Sequence, residues 1–387
     1  MFAKKDKFGN ATVMNQFSTN HLSLYQINVR QFLTGLGVGK KIIDIPVSFW
    51  LHLKDRGITA VWLMGVWQLP PRDIILKYAA TELMIDEYRK VLPSVTEQDI
   101  CGSIFAIDRY QIDSELGDEQ AVLELKHTLN SLGMLLILDF IPNHFHIESS
   151  LLTTNPEIFL YDSNNRANNQ VLCGKDPHFP QWADTAQLDY SQQVTRQFMQ
   201  NQLLNIVNLC DGVRCDMSML VIKDVFMQTW KDMLTDENIV AWHDDFWIET
   251  ISLIRISYPK FCCIAEVYWG LEERLLTLGF DYVYDKEFLD TVLKKDLTQV
   301  VDYVSSRDMR QRLVFLENHD EDRITSRLAG NDLYQAILIH NQMPIKLFQH
   351  GQLEGQTHRF PVQLKSTNFS KLGTDSTRLY NSLFTLA

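Results

Sequence analysis

Basic runs are missing from this chain. Nowhere in its 387 residues do five or more Lys and Arg follow one another, and the formal net charge at pH 7 is −12. That balance offers no footprint for nucleic acid or an anionic membrane surface, and it fits a soluble protein whose ligand is a neutral small or polymeric molecule. Long apolar runs are missing too. The longest, such as ITAVWLMGVW at 58–67, reach about half of the roughly 20 residues that span a bilayer, and so read as buried strands. The first twenty residues, MFAKKDKFGNATVMNQFSTN, carry lysines with no apolar stretch of seven behind them, so no secretory leader is expected. Six cysteines, at 101, 173, 210, 215, 262 and 263, show no C-x-x-C spacing. They read as buried thiols of a reducing, cytoplasmic compartment. Zinc is the sharper alternative, but no His/Cys set has ligand spacing. The stretch GLGVGK at 35–40 matches neither phosphate-binding glycine pattern and is expected to be a plain loop.

What the chain does have is apolar residues, 45% of the total with 11% aromatic, enough to bury a large core. Eight short apolar runs recur, beginning LSLYQINV (22–29), ITAVWLMGVW (58–67) and MLLILDFI (134–141). CDGVRCD (210–216), FCCIAEVYW (261–269), FDYVYD (280–285), RLVFLENHD (312–320) and PIKLFQH (344–350) complete the set. Between most of them lie amphipathic stretches of helical period, for example 118–132 opening on Asp118 and 191–208 opening on Ser191. Strands alternating with helices imply parallel pairing, and eight of them imply an α/β fold of the (β/α)8 TIM barrel type, with its chemistry at the carboxyl ends of the strands. Asp139, Asp216, Glu266 and Asp320 close the third, fourth, fifth and seventh runs. A doubly wound open sheet, the rival fold, would gather such residues at one switch point. The long connection after the third strand reads as a small inserted subdomain. The expected organisation is a first part of the barrel at 1–144, the insertion at 145–190 and the rest of the barrel at 191–387. The other long connection, 68–101, is helix-prone at 74–90.

A lone Asp at a strand end is more often a cap than a catalyst. Asp216 differs because Arg214 lies two residues before it, and period-two alternation aims both side chains into the barrel. A buried ion pair is seldom a gain in stability, so this one wants another reason to exist. The adjacent cation would keep Asp216 ionised, whereas burial of Glu266 beside Tyr268 and Trp269 would keep a carboxyl protonated. One carboxylate and one carboxylic acid make the pair that glycoside hydrolysis requires. Asp320 supplies a third acid, whose charge would favour a cationic transition state.

DFIPNH (139–144), GVRCD (212–216), AEVYW (265–269) and ENHD (317–320) resemble, in order, the four signature regions of the α-amylase superfamily of glycoside hydrolases. The resemblance spans roughly residues 20–362 and includes GSIFAIDRYQIDSELG (102–117), AQLDY (186–190) and GQLEG (351–355). It implies that Asp216 is the nucleophile, Glu266 the general acid/base and Asp320 the acid that distorts and stabilises the sugar at the cleavage point. Arg214 would orient Asp216. His144 and His319 resemble the two family histidines that hydrogen-bond sugar hydroxyls, the bland alternative being core histidines. Asp139, Asn143 and Asn318 look structural. A carbohydrate is the expected partner, with neither nucleic acid nor membrane, and no oligomeric state is specified.

Three departures stand out. Phe105 occupies the place where the family commonly has a Tyr stacking on the sugar, keeping the ring face and losing the hydroxyl. DMSML at 216–220 lacks the family's polar Lys-His pair, and Gln187 stands where an acidic calcium ligand is expected. No cofactor, and specifically no structural calcium, is therefore expected. After GQLEG only residues 356–387 follow, too few for the usual C-terminal β-sandwich. STRLYNSLFTLA at 376–387 is expected to form the eighth barrel helix, with Leu379, Leu383, Phe384 and Leu386 on its apolar side. The functional expectation is a retaining α-glycoside hydrolase of α-glucans, maltooligosaccharides or α-glucosides. An α-glucan transglycosylase using the same residues and a non-catalytic carbohydrate-binding barrel are the alternatives.

Overall fold

The computed structural model describes residues 21–162, 170–234, 242, 245–367 and 374–384. Eight strands, one in each apolar run, close into a barrel. They are β1 (Leu22–Asn28), β2 (Ala60–Met64), β3 (Leu135–Phe140), β4 (Gly212–Cys215), β5 (Cys262–Ala265), β6 (Tyr282–Asp285), β7 (Arg312–Phe315) and β8 (Ile345–Gln349). Every neighbouring pair is parallel, and β8 returns to pair with β1. Strands covered on both faces need apolar residues at nearly every position, which is why these segments read as runs rather than as alternating patterns. All seven residues of β1 and all five of β2 are buried.

The helices between strands follow the sequence signals closely where a cap is present. The Asp118 side chain accepts from the Ala121 amide at 2.9 Å and starts the helix Glu119–Ser131, which buries Val122, Leu125 and Leu129. Such a cap contributes about 1 kcal/mol. At the next long helix Ser191 is not the cap: its hydroxyl turns back to Asp189, and the helix runs Gln193–Ile206. The helix-prone connection after β2 is split in two, Arg72–Ala79 and Glu82–Arg89, the second capped by Thr81. These helices share a small core of their own with Ile100 and Leu364.

Register does the positioning. Pairing of β3 with β4 sets Asp139 beside Arg214, and pairing of β4 with β5 sets Arg214 beside Ile264, one residue pair below the loop that carries Glu266. β4 can lie this close because it begins with Gly212. A Cβ there would come within 2.5 Å of the Cys262 carbonyl oxygen and 2.8 Å of Ile137, distances no side chain tolerates. After β3 the chain makes a short antiparallel ladder, His144–His146 with Thr185–Gln187, that ties together the two ends of the 145–190 connection. Part of that connection, 163–169, lies outside the described residues.

The end of the chain forms the helix Thr374–Phe384. Its buried contact is Tyr380, which accepts a hydrogen bond from Gln352 Nε2 at 2.8 Å and packs edge-on to Phe348. Leu379, expected to lead the apolar side, is half-buried, and Leu386 lies outside the described residues. Among the described residues no helix is long and apolar enough to cross a membrane.

Candidate active site

Arg214 is the hub. It is fully buried, and its guanidinium lies against the rings of Trp62, Phe105 and Tyr284, with centroids at 4.8, 5.2 and 5.6 Å. Nη1 donates to Oδ1 of Asp216 at 2.7 Å and lies 3.5 Å from Oδ1 of Asp139. Nη2 is 2.7 Å from Oε2 of Glu266, an ion-pair contact without hydrogen-bond alignment. A single cation therefore faces three carboxyl groups contributed by β3, β4 and the β5 loop. Such a centre costs desolvation energy that the ion pairs only partly offset, the mark of a site kept for something other than stability.

Glu266 is gripped from several sides. Burial raises its pKa above the ordinary carboxyl range, the Arg214 charge pulls the other way, and the negative charges of Asp216 and Asp320 add to the rise. Oε2 accepts from the Met217 amide at 2.7 Å and Oε1 from the Tyr268 hydroxyl at 2.9 Å. Met217, directly after Asp216, holds φ at 42° to aim that amide. A left-handed backbone is unusual for a long side chain and is the strained geometry that functional loops retain.

Asp320 sits at the rim. Crowded by neighbouring residues, its side chain still keeps 55% of its surface exposed. Burial pushes its carboxyl up, but the adjacent His319 and the more distant Arg214 and Arg359 outweigh it and hold the pKa at about 2. His319 Nε2 is 3.1 Å from Asp320 Oδ2. The His319 ring is wedged between the edge of Trp62 and the face of Phe105, whose centroid is 5.1 Å away. Phe105 thus shares one wall with His319 and Arg214. The Asn318 side chain accepts from the amides of Asp320 and Glu321 at 2.9 and 3.0 Å, fixing the turn that presents the acid.

Asp139 is 1% exposed, and burial raises its pKa to about 7 against the pull of Arg214. It braces the cluster: Oδ1 accepts from Trp62 Nε1 and its carbonyl from Trp67 Nε1. His144 is buried against Trp182, and burial lowers its pKa to about 4, so it is neutral at pH 7 and free to exchange hydrogen bonds with hydroxyls. It touches the cluster through the Phe105 backbone rather than through Arg214. Asn143 bridges His144 and Gln187: its Nδ2 is 3.3 Å from His144 Nδ1, and Gln187 Nε2 donates to the Asn143 carbonyl, Asn143 Oδ1 and the Leu188 carbonyl at 3.1, 3.0 and 3.0 Å.

Two polar groups beside the site escaped the reading of the residues. Glu317, inside the ENHD stretch, is fully buried and pairs with Arg323 at 2.7 Å, locking the β7 loop. Gln26, at the end of β1, is 2.7 Å from Nδ1 of His319. The apolar run LSLYQINV holds two amides, Gln26 and Asn28, and nothing within the run singles out the first.

No protein-family model matches the sequence, and no curated protein is significantly similar to it. Solved structures do match. An α-amylase from Lactobacillus plantarum aligns over 95% of this chain and 80% of its own, with a TM-score of 0.67 at 23% identity. The fold is that of the α-amylases. A maltogenic α-amylase from Thermotoga neapolitana shares the α-amylase fold over 96% of this chain and 77% of its own, with a TM-score of 0.68 at 21% identity. So does a cyclic α-maltosyl-(1→6)-maltose hydrolase from Arthrobacter globiformis solved with its cyclic maltosyl-maltose, over 95% and 82%, with a TM-score of 0.67 at 12% identity. In this chain the ends of the α-amylase barrel strands carry the Arg214 cluster.

Proposed function

We propose that the protein is a retaining glycoside hydrolase acting on α-glucans, maltooligosaccharides or α-glucosides. One observation carries the reading: the carboxyls of Asp216 and Glu266 each lie 2.7 Å from a different amino group of the same buried guanidinium. Oxygens held that way are compatible with the separation of about 5 Å at which one carboxylate attacks while its partner protonates the leaving oxygen. Asp216, ion-paired with Arg214, attacks the anomeric carbon and forms a glycosyl ester as the bond to the glycosidic oxygen breaks. Glu266, whose pKa burial raises, is the group placed to donate a proton to the departing glycosidic oxygen and then to take one from the water that releases the sugar. Asp320, ionised at the mouth, offers its charge to the oxocarbenium-like transition state. Solved structures that share the fold are titled α-amylase, maltogenic α-amylase, cyclomaltodextrinase and pullulan hydrolase, which supports an α-glucan as the substrate class.

Calcium forms no part of this reading. At the junction of barrel and insertion, the three oxygens that converge on one point, from Asn143 and Leu188, are already held by the amide nitrogen of Gln187. A hard cation needs several oxygens with negative charge among them, and this set has no carboxylate. The residues present do not fit the ion.

Incubation with maltooligosaccharides tests the reading, with Asp216→Asn as the control. Release of short sugars in the α configuration, followed by NMR of the fresh product, is expected from the native chain, with a loss of about 10⁴-fold or more in the variant. Undiminished turnover by Asp216→Asn would remove the proposed nucleophile. Formation of longer oligomers at high substrate concentration would turn the assignment from hydrolysis to transfer.

A further inference from the structure

Gln26 has no role in the chemistry so far, yet it meets the His319 ring on the side opposite the third acid. Its side chain is 1% exposed at the carboxyl end of β1. Nε2 is 2.7 Å from Nδ1 of His319 and 3.4 Å from the Met64 sulfur, while Oε1 is buried with no hydrogen-bond partner. On the opposite side of the same ring, Nε2 of His319 is 3.1 Å from Asp320 Oδ2. Trp62 and Phe105 hold the ring plane, so the remaining freedom of His319 is which nitrogen carries the proton.

We propose that Gln26 is the positioning residue of the third acid, its amide fixing the His319 tautomer so that Nε2–H points at Asp320. This rests on the glycosidase reading for its consequence, though not for its geometry. A neutral imidazole has one donor and one acceptor nitrogen, and the partner of one decides the role of the other. With the Gln26 N–H donating to Nδ1, that nitrogen is the acceptor and the proton resides on Nε2. The unpartnered Oε1 adds a second capacity. If His319 takes a second proton, rotation of the amide presents Oε1 to Nδ1–H, and Nε2–H stays on Asp320. An uncharged amide can thus serve both states of the ring, which no apolar residue of similar length can do. Burying Oε1 without a partner costs free energy, and that cost is intelligible in a group kept for its ability to turn.

The charged and titratable groups around His319 come from several elements. Asp320 adjoins it, Asp139 faces it from β3 and Arg214 from β4. Arg323 and His350, from the segment after β7 and the end of β8, line the same cavity as Gln26 and His319.

The test compares Gln26→Met, which keeps length and removes both hydrogen-bonding ends, with Gln26→Glu, which places a carboxylate at Nδ1. The full-length protein is labelled with ¹⁵N-histidine, and the His319 signal is identified by its loss in His319→Gln. The native ring should show the proton on Nε2, Gln26→Met a mixture of tautomers, and Gln26→Glu an imidazolium persisting to higher pH. On maltooligosaccharides kcat/KM should fall about 10-fold to 100-fold in Gln26→Met, mostly in kcat. In Gln26→Glu the pH profile should move toward alkaline pH. An unchanged His319 tautomer in Gln26→Met overturns the proposal, as does a loss of rate identical in the two variants at every pH. If native and Asp216→Asn proteins release no sugar alike, the glycosidase reading falls, and the ring signals alone still decide whether Gln26 sets the tautomer.

Discussion

Arg214 Nη2 stands 2.7 Å from Oε2 of Glu266, so the guanidinium that pairs with Asp216 also grips the second acid. Lys could keep the charge but not the fork, because one ammonium is a point donor on a flexible stem. Arg214→Lys should therefore fold with a modest loss of melting temperature and lose about 10²-fold to 10³-fold in kcat. Arg214→Met, which leaves Asp139, Asp216 and Glu266 facing one another without a cation, should cost about 3–5 kcal/mol in unfolding free energy. Equal stability of Met and Lys variants in urea titrations would show that the guanidinium charge is not what holds these carboxyls together.

Tyr268 donates to Oε1 of Glu266 at 2.9 Å, and a hydrogen bond to the ionised form lowers a carboxyl's pKa. Removing it in Tyr268→Phe should raise Glu266 further from a value already lifted by burial. A bond of about 1 kcal/mol corresponds to about 0.7 pH unit. The alkaline limb of kcat/KM against pH, where the general acid loses its proton, should move up by about that amount. A limb that stays in place or moves down would mean another group titrates there.

The barrel was legible because strands buried on both faces must be apolar throughout, and each of the eight runs holds one strand. The acids were legible because charge at the end of such a run is expensive, and Arg214 with Asp216 made the cost visible two residues apart. Helix starts were less so. Asp118 caps, whereas Ser191 turns its hydroxyl to Asp189, since a hydroxyl bonds to whichever partner the tertiary fold brings near. Gln26 and Glu317 were hidden for a related reason: their partners, His319 and Arg323, come from other strands or loops, and no local spacing announces them. Phe105 could be placed only by likeness, because nothing local ties a loop aromatic to a histidine 214 positions later; the contact exists because the β2 connection folds over the mouth.

Asp139 gives the stability a pH dependence whose sign can be stated. Burial raises its pKa from the ordinary 3.8 to about 7, against the opposing charge of Arg214. Between roughly pH 4 and pH 7 the folded chain keeps a proton there that the unfolded chain has released, so this residue makes stability fall as pH rises across that window. Asp139→Asn keeps the acceptor for Trp62 Nε1 and cannot ionise. Its urea midpoint should lose that part of the slope and equal or exceed the native midpoint at pH 7. A variant destabilised by the same margin at pH 5 and pH 7 would show that Asp139 is ionised throughout.

Gln187 offers a test of the missing cation. Its Nε2 donates to two oxygens of Asn143 and one of Leu188, while its own Oε1 is buried without a partner. The amide's two N–H groups thus occupy the point at which a cation would meet those oxygens. Replacing the donor with an acceptor reverses the local electrostatics, because Gln187→Glu turns a carboxylate toward three lone-pair-bearing oxygens. The variant should melt several degrees lower in EDTA, the equivalent of about 1–3 kcal/mol for a buried acceptor without a donor. Calcium at millimolar concentration should restore most of that loss by supplying the positive charge the oxygens then require, since four oxygens including a carboxylate begin to resemble a hard-cation site. The native protein, its oxygens already satisfied, should melt at one temperature in EDTA and in calcium. A native melting temperature that rises with calcium would mean that the ion binds despite Gln187.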